Sequence, residues 1–220
     1  MSEIIKIEDV DIGYEKKLII QDINLKINKG DYVYINGENG SGKSSFLKLL
    51  YMKILPKKGT YKLFNKKIVK EEKVYIQQSR KRLGIILQKN YLIPYLTVEQ
   101  NIQISGLIQK ESKNISNSRI TEIINWVGLE KKVKSKIMYL SDGEKQKVIF
   151  ARSILSNPEI LIADEPMNCL DMKTKEKFFF LLNTINKLGT TVIITERDNF
   201  SIKNERHIKV LIKNKRLIKE

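Results

Sequence analysis

Apolar positions along the chain follow two different spacings. Short runs rich in β-branched residues are typical of strands, whereas apolar residues three or four positions apart are typical of helices. The first pattern predicts strands over residues 4–10, 18–27, 32–35, 59–63, 83–87, 160–163, 191–195 and 208–212, with 217–218 completing a terminal hairpin. The second pattern predicts helices over residues 43–55, 97–108, 116–127, 143–155 and 172–188.

This alternation of strands and helices predicts the fold class. A strand that returns through a helix to another strand forms a parallel pair, and the helices then cover the faces of the sheet. The sequence therefore predicts an α/β protein with a mixed, largely parallel sheet and helices on both faces. Its 220 residues fit a single domain. Residues 89–156 are more helical than the rest, and we expect them to form a smaller helical lobe beside a core of residues 1–88 and 157–220.

Composition argues against several classes of protein. No apolar run reaches the roughly eighteen residues that a membrane-spanning helix needs, and the first residues lack the basic-then-apolar pattern of a secretory signal. The single cysteine, Cys169, cannot form an internal disulfide, which favours a reducing compartment. One His and one Cys make a zinc site improbable on composition. We therefore expect a cytoplasmic protein.

The chain is strongly basic, with 41 Lys and Arg against 25 Asp and Glu and a net charge of +16. Three interpretations are open: a solvated lysine-rich surface, attraction to an anionic membrane face, and nucleic-acid binding. Only 7 of these basic residues are Arg, the residue that most often reads base edges, and the lysines are scattered. Nucleic acid is therefore not an expected partner, although charge alone decides nothing.

A glycine-rich turn follows the strand predicted at 32–35. Residues 37–44 read Gly-Glu-Asn-Gly-Ser-Gly-Lys-Ser and fit the G-x-x-x-x-G-K-[ST] phosphate loop, which needs a strand before it and a helix after it. Backbone N–H groups of such a loop surround phosphate oxygens. We expect Lys43 to reach the β- and γ-phosphates and the Ser44 hydroxyl to hold Mg²⁺. The residues predicted to bind the nucleotide here are Gly37, Glu38, Asn39, Gly40, Ser41, Gly42, Lys43, Ser44 and Ser45.

Two carboxylates end the apolar strand predicted at 160–163. Beside a phosphate loop, Asp164 would bind Mg²⁺ directly or through water, and Glu165 would orient or deprotonate the attacking water. The phosphate loop and this acidic strand end together predict a Mg²⁺-dependent nucleoside triphosphatase.

Residues 140–146 read Leu-Ser-Asp-Gly-Glu-Lys-Gln and precede Asp164 by about 20 residues. They resemble the Leu-Ser-Gly-Gly-Gln/Glu signature of ATP-binding-cassette (ABC) ATPases. Tyr14 lies where that family has the aromatic residue that stacks on adenine, and Gln88 matches its Q-loop glutamine. Residues 168–171 match its D-loop.

The resemblance covers nearly the whole chain and extends to one branch of the family. Residues 92–102 are similar to the L-P-x-L-T-V-x-E-N segment of the lipoprotein-release, macrolide-export and cell-division branch. The resemblance implies a P-loop NTPase fold of the ABC type, with ATP and Mg²⁺ as cofactors. It also implies a location on the inner face of the cell membrane, because the family works with an integral membrane permease subunit on another chain.

In that family two cassettes pair head to tail and bind ATP between them. The resemblance therefore implies that Ser141 and Gly143 bind the γ-phosphate of the nucleotide held by a second subunit, identical or not. Gln88 would contact Mg²⁺ and the attacking water and relay their state to the membrane subunit. Tyr91, Leu92 and Tyr95 follow Gln88 and are candidates for an exposed partner patch, with burial in the helical lobe as the alternative.

Two positions depart from the family pattern. Asp142 replaces a glycine of the signature, with its side chain expected either near the partner's phosphates or in solvent. Glu196 occupies the catalytic position of the switch histidine, and the only histidine, His207, lies in the terminal strand. Arg197 is the nearest candidate for a substitute donor. Slow hydrolysis or a degenerate site is therefore an open alternative.

Three functions compete on this sequence. The first is the ATP-hydrolysing subunit of an ABC transporter, which powers a separate membrane subunit through ATP-driven dimerisation. The second is a regulatory or degenerate cassette with weak hydrolysis. The third, a soluble ABC protein that acts on DNA or ribosomes, is disfavoured because the chain has room for one cassette and shows no heptads between phosphate loop and signature.

Overall fold

A computed structural model of the chain describes residues 2–89, 91–108, 117–168, 170–196 and 207–219. Strands and helices alternate along these residues much as the apolar pattern predicts. The strands are β1 (Glu3–Tyr14), β2 (Lys17–Asn28), β3 (Tyr32–Gly37), β4 (Lys58–Leu63), β5 (Lys66–Lys67), β6 (Leu83–Ile86), β7 (Ile160–Asp164), β8 (Thr191–Thr195), β9 (Ile208–Lys213) and β10 (Arg216–Lys219). The helices are α1 (Lys43–Leu50), α2 (Lys73–Lys81), α3 (Val98–Ile108), α4 (Asn117–Trp126), α5 (Asp142–Ile154) and α6 (Met172–Lys187).

The strands form two sheets. One is antiparallel, with the order β2-β1-β4-β5, and the other has the order β10-β9-β3-β8-β7-β6. Within the second sheet, β9, β3, β8, β7 and β6 run parallel, and β10 pairs antiparallel with β9. The expected α/β class with a mixed sheet is confirmed. A separate antiparallel sheet was not predicted, and it forms because β1 and β2 are joined by a two-residue turn that only antiparallel strands allow.

The parallel strands are buried on both faces. Tyr32 and Tyr34 of β3 point into an apolar cluster with α4, α5 and α6, whereas Val33 and Ile35 point into a second cluster with α1 and the antiparallel sheet. Successive strand residues face opposite sides, so a strand covered on both faces is a continuous apolar run. The carboxyl end of this doubly covered sheet carries the candidate site.

Helix α1 ends earlier than the sequence predicts, at Leu50 rather than residue 55. Arg80 explains the end, because its Nη2 donates to the carbonyl of Met52 at 2.7 Å and its Nε to that of Tyr51 at 3.3 Å. Met52 itself has a left-handed backbone with a φ of 61°. Arg80 lies in α2, a helix that the apolar pattern did not predict because Ser79 is its one buried residue.

Helices α3, α4 and α5 fall within residues 89–156, and short 3₁₀ turns at Glu130–Lys132 and Ile137–Tyr139 connect α4 to α5. The boundaries of the helical lobe stay a prediction. No helix among the described residues is long and apolar enough to cross a bilayer.

Candidate active site

The phosphate loop connects the end of β3 to the start of α1. Gly42 is the N-cap of α1 and has a φ of 112°, a backbone conformation that side chains with a Cβ rarely adopt. A Cβ on Gly42 would also lie 2.8 Å from Cγ2 of Ile19. Lys43 is 5% exposed, and its ammonium donates to the carbonyls of Gly37 at 2.5 Å and Glu38 at 3.2 Å. The loop thus closes around the lysine that the sequence assigns to phosphates.

The acidic strand end lies on β7, one strand away from β3, and is fixed by β8, which runs between the two. The hydroxyl of Thr195 donates to Oδ1 of Asp164 at 2.8 Å. The backbone N–H of Glu165 donates to that hydroxyl and to the Thr195 carbonyl, each at 3.0 Å. Thr195 is fully buried, and the two acidic residues are 7% and 8% exposed. One buried threonine therefore fixes both residues that the sequence assigns to metal binding and catalysis.

Two side-chain amides contact the carboxylate of Glu165. Nε2 of Gln88 donates to its Oε2 at 3.2 Å, and Nδ2 of Asn168 approaches the same oxygen at 3.4 Å. Glu165 has a positive φ of 47°, so the chain turns sharply at the residue after the strand. Gln88 and Glu165 are separated by 77 residues in sequence and meet where β6 and β7 end side by side.

A cavity of about 740 Å³ lies in front of these groups. Of the predicted nucleotide residues, Tyr14 and the loop from Glu38 to Ser45 line it, together with Gln88 and Glu165. The hydroxyl of Tyr14 accepts a hydrogen bond from Nζ of Lys48 at 3.1 Å, which holds the ring against α1. The structure thus brings the phosphate loop, the adenine-stacking candidate and two of the catalytic candidates, Gln88 and Glu165, to one cavity.

Sequence reasoning missed four further residues that line the same cavity, namely Lys17, Leu18, Ile19 and Lys215. Lys17 pairs with Tyr14 across the β1–β2 hairpin, so that hairpin pattern could have indicated it. Lys215 lies in the β9–β10 turn, and its backbone carbonyl accepts a hydrogen bond from the N–H of Gln21 at 2.9 Å. No local signal in the sequence indicates that contact.

The signature residues do not line the cavity. Ser141 is the N-cap of α5, where its hydroxyl accepts from the N–H of Glu144 at 3.2 Å and the Glu144 carboxylate accepts from the N–H of Ser141 at 2.9 Å. Gly143 lies in the first turn of the same helix. The Asp142 side chain is 77% exposed and pairs with Lys145, which is compatible with both expectations, solvent and the phosphates of a second subunit.

Glu196 also lies outside the residues that line the cavity. It is 8% exposed, and its Oε1 accepts from the backbone N–H of Met167 at 3.1 Å. A direct role of Glu196 at the phosphate stays a prediction, and in this structure its carboxylate also bonds the chain segment that follows Glu165. Arg197 and Cys169 lie outside the described residues.

His207 cannot replace the switch histidine. Its ring stacks on Tyr32 with centroids 4.1 Å apart, at the end of β3 opposite the phosphate loop. Burial, with a smaller effect from Lys209, lowers the pKa of this imidazole. Because the sequence contains no other histidine, the site has none.

Comparison with known proteins identifies the fold and the family. Residues 20–168 match the family model described as ABC transporter. The chain belongs to the ABC transporter family. The ABC cassette described here is an ATP-binding subunit and an ATPase of that family, as the sequence predicts.

Relatives and solved structures cover nearly the whole cassette. The cell division ATP-binding protein FtsE of Streptococcus pneumoniae is 32% identical over 99% of this chain and 95% of its own length. A dimeric post-hydrolysis structure of the cassette MJ0796, bound to ADP and Pi, aligns with a TM-score of 0.86 at 27% identity over 98% of this chain and 97% of that one. The cbiO1 protein of Clostridium perfringens aligns with a TM-score of 0.88 at 26% identity, covering 99% and 88% of the two chains. The predicted resemblance to the cell-division branch is confirmed.

Proposed function

We propose that this cassette binds Mg-ATP in the 740 Å³ cavity and hydrolyses it to drive a separate membrane subunit. One observation carries the proposal: Lys43, Gln88 and Glu165, which are remote in sequence, line a single cavity. Lys43 would exchange its two loop carbonyls for β- and γ-phosphate oxygens, and charge-assisted hydrogen bonds of this kind are roughly twice as strong as neutral ones. Tyr14 would stack on the adenine.

Three side chains at the cavity form a donor set that fits Mg²⁺: Ser44 and Gln88 line it, and Asp164 directly precedes Glu165, which also lines it. Ser44 offers a hydroxyl, Gln88 an amide oxygen and Asp164 a carboxylate, and Mg²⁺ prefers oxygen ligands completed by water and phosphate oxygens. Bound Mg²⁺ would neutralise charge that develops on the phosphates during transfer. Thr195 holds Oδ1 of Asp164 by a hydrogen bond and so keeps the carboxylate in one orientation toward the metal.

Glu165 is the residue that we assign to the attacking water. A carboxylate at this position can accept a hydrogen bond from the water and take its proton as the γ-phosphate leaves. Gln88 and Asn168 contact the carboxylate from one side, and the Thr195 hydroxyl accepts a hydrogen bond from the backbone N–H of Glu165. The base is thus positioned before substrate binds, which is where much of the catalytic effect of such a site arises.

A second cassette would complete the site. Ser141 and Gly143 begin a 13-residue helix whose N-terminus attracts anions, yet they lie away from this chain's own cavity. In a head-to-tail pair, the signature of one cassette would meet the γ-phosphate bound by the other. The N–H groups of Ser141 and Glu144 are used within the capping box, so those of Asp142 and Gly143 would make that contact.

The membrane subunit would dock in a groove of about 560 Å³ near the Q-loop. Tyr91 lines this groove and lies three residues after Gln88, so a short segment connects the groove to the nucleotide cavity. Arg152 of α5 donates to the Tyr91 carbonyl at 2.7 Å and ties this segment to the helix that carries the signature. Tyr91 and Tyr95 are 60% and 72% exposed, whereas Leu92 is buried at 9%, so Leu92 is not part of the predicted exposed patch. Such docking would hold the cassette at the inner face of the cell membrane.

A weakly hydrolysing cassette is the second candidate function. The observation that favours it is the absence of any histidine at the site, together with the use of the Glu196 carboxylate by the Met167 N–H. Loss of one preorganised donor at a reacting centre costs about 2.7–4 kcal/mol, or roughly 10²–10³ in rate.

A comparison of wild type with Glu165→Gln tests the proposed function. We expect the wild type to release phosphate from Mg-ATP and to be mostly monomeric at steady state. The variant should lose phosphate release and accumulate as an ATP-bound dimer in size-exclusion chromatography, because hydrolysis normally opens the pair. A variant that keeps wild-type turnover would contradict the assignment of Glu165, and a strictly monomeric variant would contradict a homodimer.

A further inference from the structure

Four lysines lie directly opposite one another across the antiparallel sheet. Lys6 of β1 pairs with Lys26 of β2 and with Lys62 of β4, and Lys62 pairs in turn with Lys67 of β5. Residues paired in this way point to the same face of a sheet. Because adjacent strands are about 4.8 Å apart, this lysine row crosses the whole sheet over about 14 Å.

The lysine row lies on the solvent face of the sheet. The residues on either side of Lys6, Ile5 and Ile7, are 0% and 1% exposed and point into the core. Lys26 and Lys67 are exposed, and Lys6 and Lys62 are half-buried. The ammonium groups therefore project from a face that no other described element covers.

The positive charge of the lysine row is only partly compensated. Glu8 bonds Lys6 at 2.5 Å, and this hydrogen bond raises the pKa of Lys6, with a smaller contribution from Glu3. The pKa of Glu8 is lowered first by the same bond and then by the nearby charges of Lys62 and Lys26. Two carboxylates thus face four lysines. Like charges placed directly opposite each other destabilise a sheet, so the row has an energetic cost that a bound polyanion would remove.

We propose that the lysine row is a docking surface for an anionic phospholipid bilayer. Lysine is a compact point charge that attracts phosphate groups without requiring a fixed geometry, which suits a mobile layer of headgroups. The strand residues two positions from the row include Glu8, Asn24, Asn28 and Thr60. Phe64, which follows β4, packs against the core with Arg82 over its ring. Single-stranded nucleic acid is bound through aromatic stacking and base edges through arginine, and the four strand neighbours supply neither.

This contact goes beyond the proposed function, because it gives the cassette an attachment to the membrane that does not depend on the permease subunit. It also assigns part of the +16 net charge to one specific surface. The remaining lysines, such as those on α6, would then be an ordinary solvated surface.

Vesicle co-sedimentation of the isolated cassette tests the proposal. The vesicles are phosphatidylcholine with 40% phosphatidylglycerol or phosphatidylcholine alone, each at about 0.1 M and 0.5 M salt, between which the screening length of charges falls about twofold. The row variant is Lys26→Gln with Lys62→Gln. The matched control is Lys177→Gln with Lys187→Gln on α6, which also removes two positive charges, here from exposed positions away from the lysine row.

We expect the wild type to bind the anionic vesicles at low salt and to be released at high salt. The row variant should bind roughly tenfold more weakly, because each lysine near an anionic surface strengthens binding severalfold, while the control stays within about threefold of wild type. A third variant, Lys26→Arg with Lys62→Arg, should retain binding and so exclude a folding defect as the cause.

Three results would overturn the proposal. The first is a wild type that does not bind anionic vesicles. The second is an equal loss in the row and control variants, which would mean that net charge alone acts. The third is a wild type that binds a single-stranded oligonucleotide or a polyglutamate peptide through the same lysines more tightly than it binds the anionic vesicles. The melting temperature of the row variant should equal or exceed that of wild type, since its cross-strand repulsion is reduced.

Discussion

Replacing Thr195 by valine tests how the site holds Asp164, the proposed metal ligand. The substitution conserves shape but removes the hydroxyl that donates to Asp164 at 2.8 Å and accepts from the N–H of Glu165 at 3.0 Å. The N–H of Glu165 keeps the Thr195 carbonyl as a partner. The main loss is therefore the hydrogen bond to a carboxylate that is 7% exposed.

The magnitude follows from that single bond. A hydrogen bond to a charged group contributes about 1.5–3 kcal/mol. For a domain of this size that corresponds to a melting temperature lower by roughly 3–12 °C. An oriented metal ligand that loses its supporting hydrogen bond typically costs about 10- to 100-fold in metal affinity. We therefore expect the Mg²⁺ concentration that half-saturates Mg-ATP binding to rise at least tenfold.

The chain offers a matched control on the same strand. Thr191 is also fully buried in β8, but its hydroxyl accepts from the backbone N–H of Gly30 at 3.0 Å, far from the site. Thr191→Val should lower the melting temperature without changing the Mg²⁺ requirement. Thr195→Ser keeps the hydroxyl and should therefore have the melting temperature and the Mg²⁺ requirement of the wild type. The assay is the affinity of a fluorescent ATP analogue measured across a Mg²⁺ titration. An identical Mg²⁺ dependence in the two valine variants would refute the role of the Thr195 hydroxyl in holding Asp164.

Two further predictions concern the switch position and the partner groove. Glu196→His should raise steady-state phosphate release tenfold or more with little change in ATP affinity, because a neutral imidazole can donate to the γ-phosphate where a carboxylate only accepts. A wild type that is already as fast as this variant would contradict the degenerate-switch interpretation. Tyr91→Asp should abolish co-purification with the membrane subunit while ATP binding stays normal, and an unchanged yield of the complex would remove the groove from the docking surface.

The apolar pattern predicted the parallel strands well because they are buried on both faces and read as continuous apolar runs. It missed α2, whose formation depends on contacts with other elements instead of its own apolar face. There Tyr75 donates to the carbonyl of Leu63 at 2.7 Å, and Arg80 caps the end of α1. Stabilisation of this kind comes from residues far away in sequence and leaves no periodic signal.

The candidate site likewise has parts that the sequence predicts and parts that it does not. The phosphate loop and the acidic strand end were predictable because each motif is contiguous and its chemistry requires that spacing. The contact of Lys215 with the nucleotide cavity and that of Glu196 with Met167 were not, because each joins segments that only the folded sheet brings together. Glu196 in particular satisfies the buried N–H of Met167, a contact that no local sequence pattern indicates.

Titration calorimetry of Mg-ATP against wild type and Lys43→Ala tests the central claim most directly, that the cavity beside the phosphate loop is the ATP site. Lys53→Ala removes the same charge from an exposed position shortly after α1 and serves as the control. The account predicts an affinity at least tenfold lower for Lys43→Ala, since a charge-assisted bond of about 1.5–3 kcal/mol is lost, and an affinity close to wild type for Lys53→Ala. Equal Mg-ATP affinity in wild type and a folded Lys43→Ala variant would contradict it.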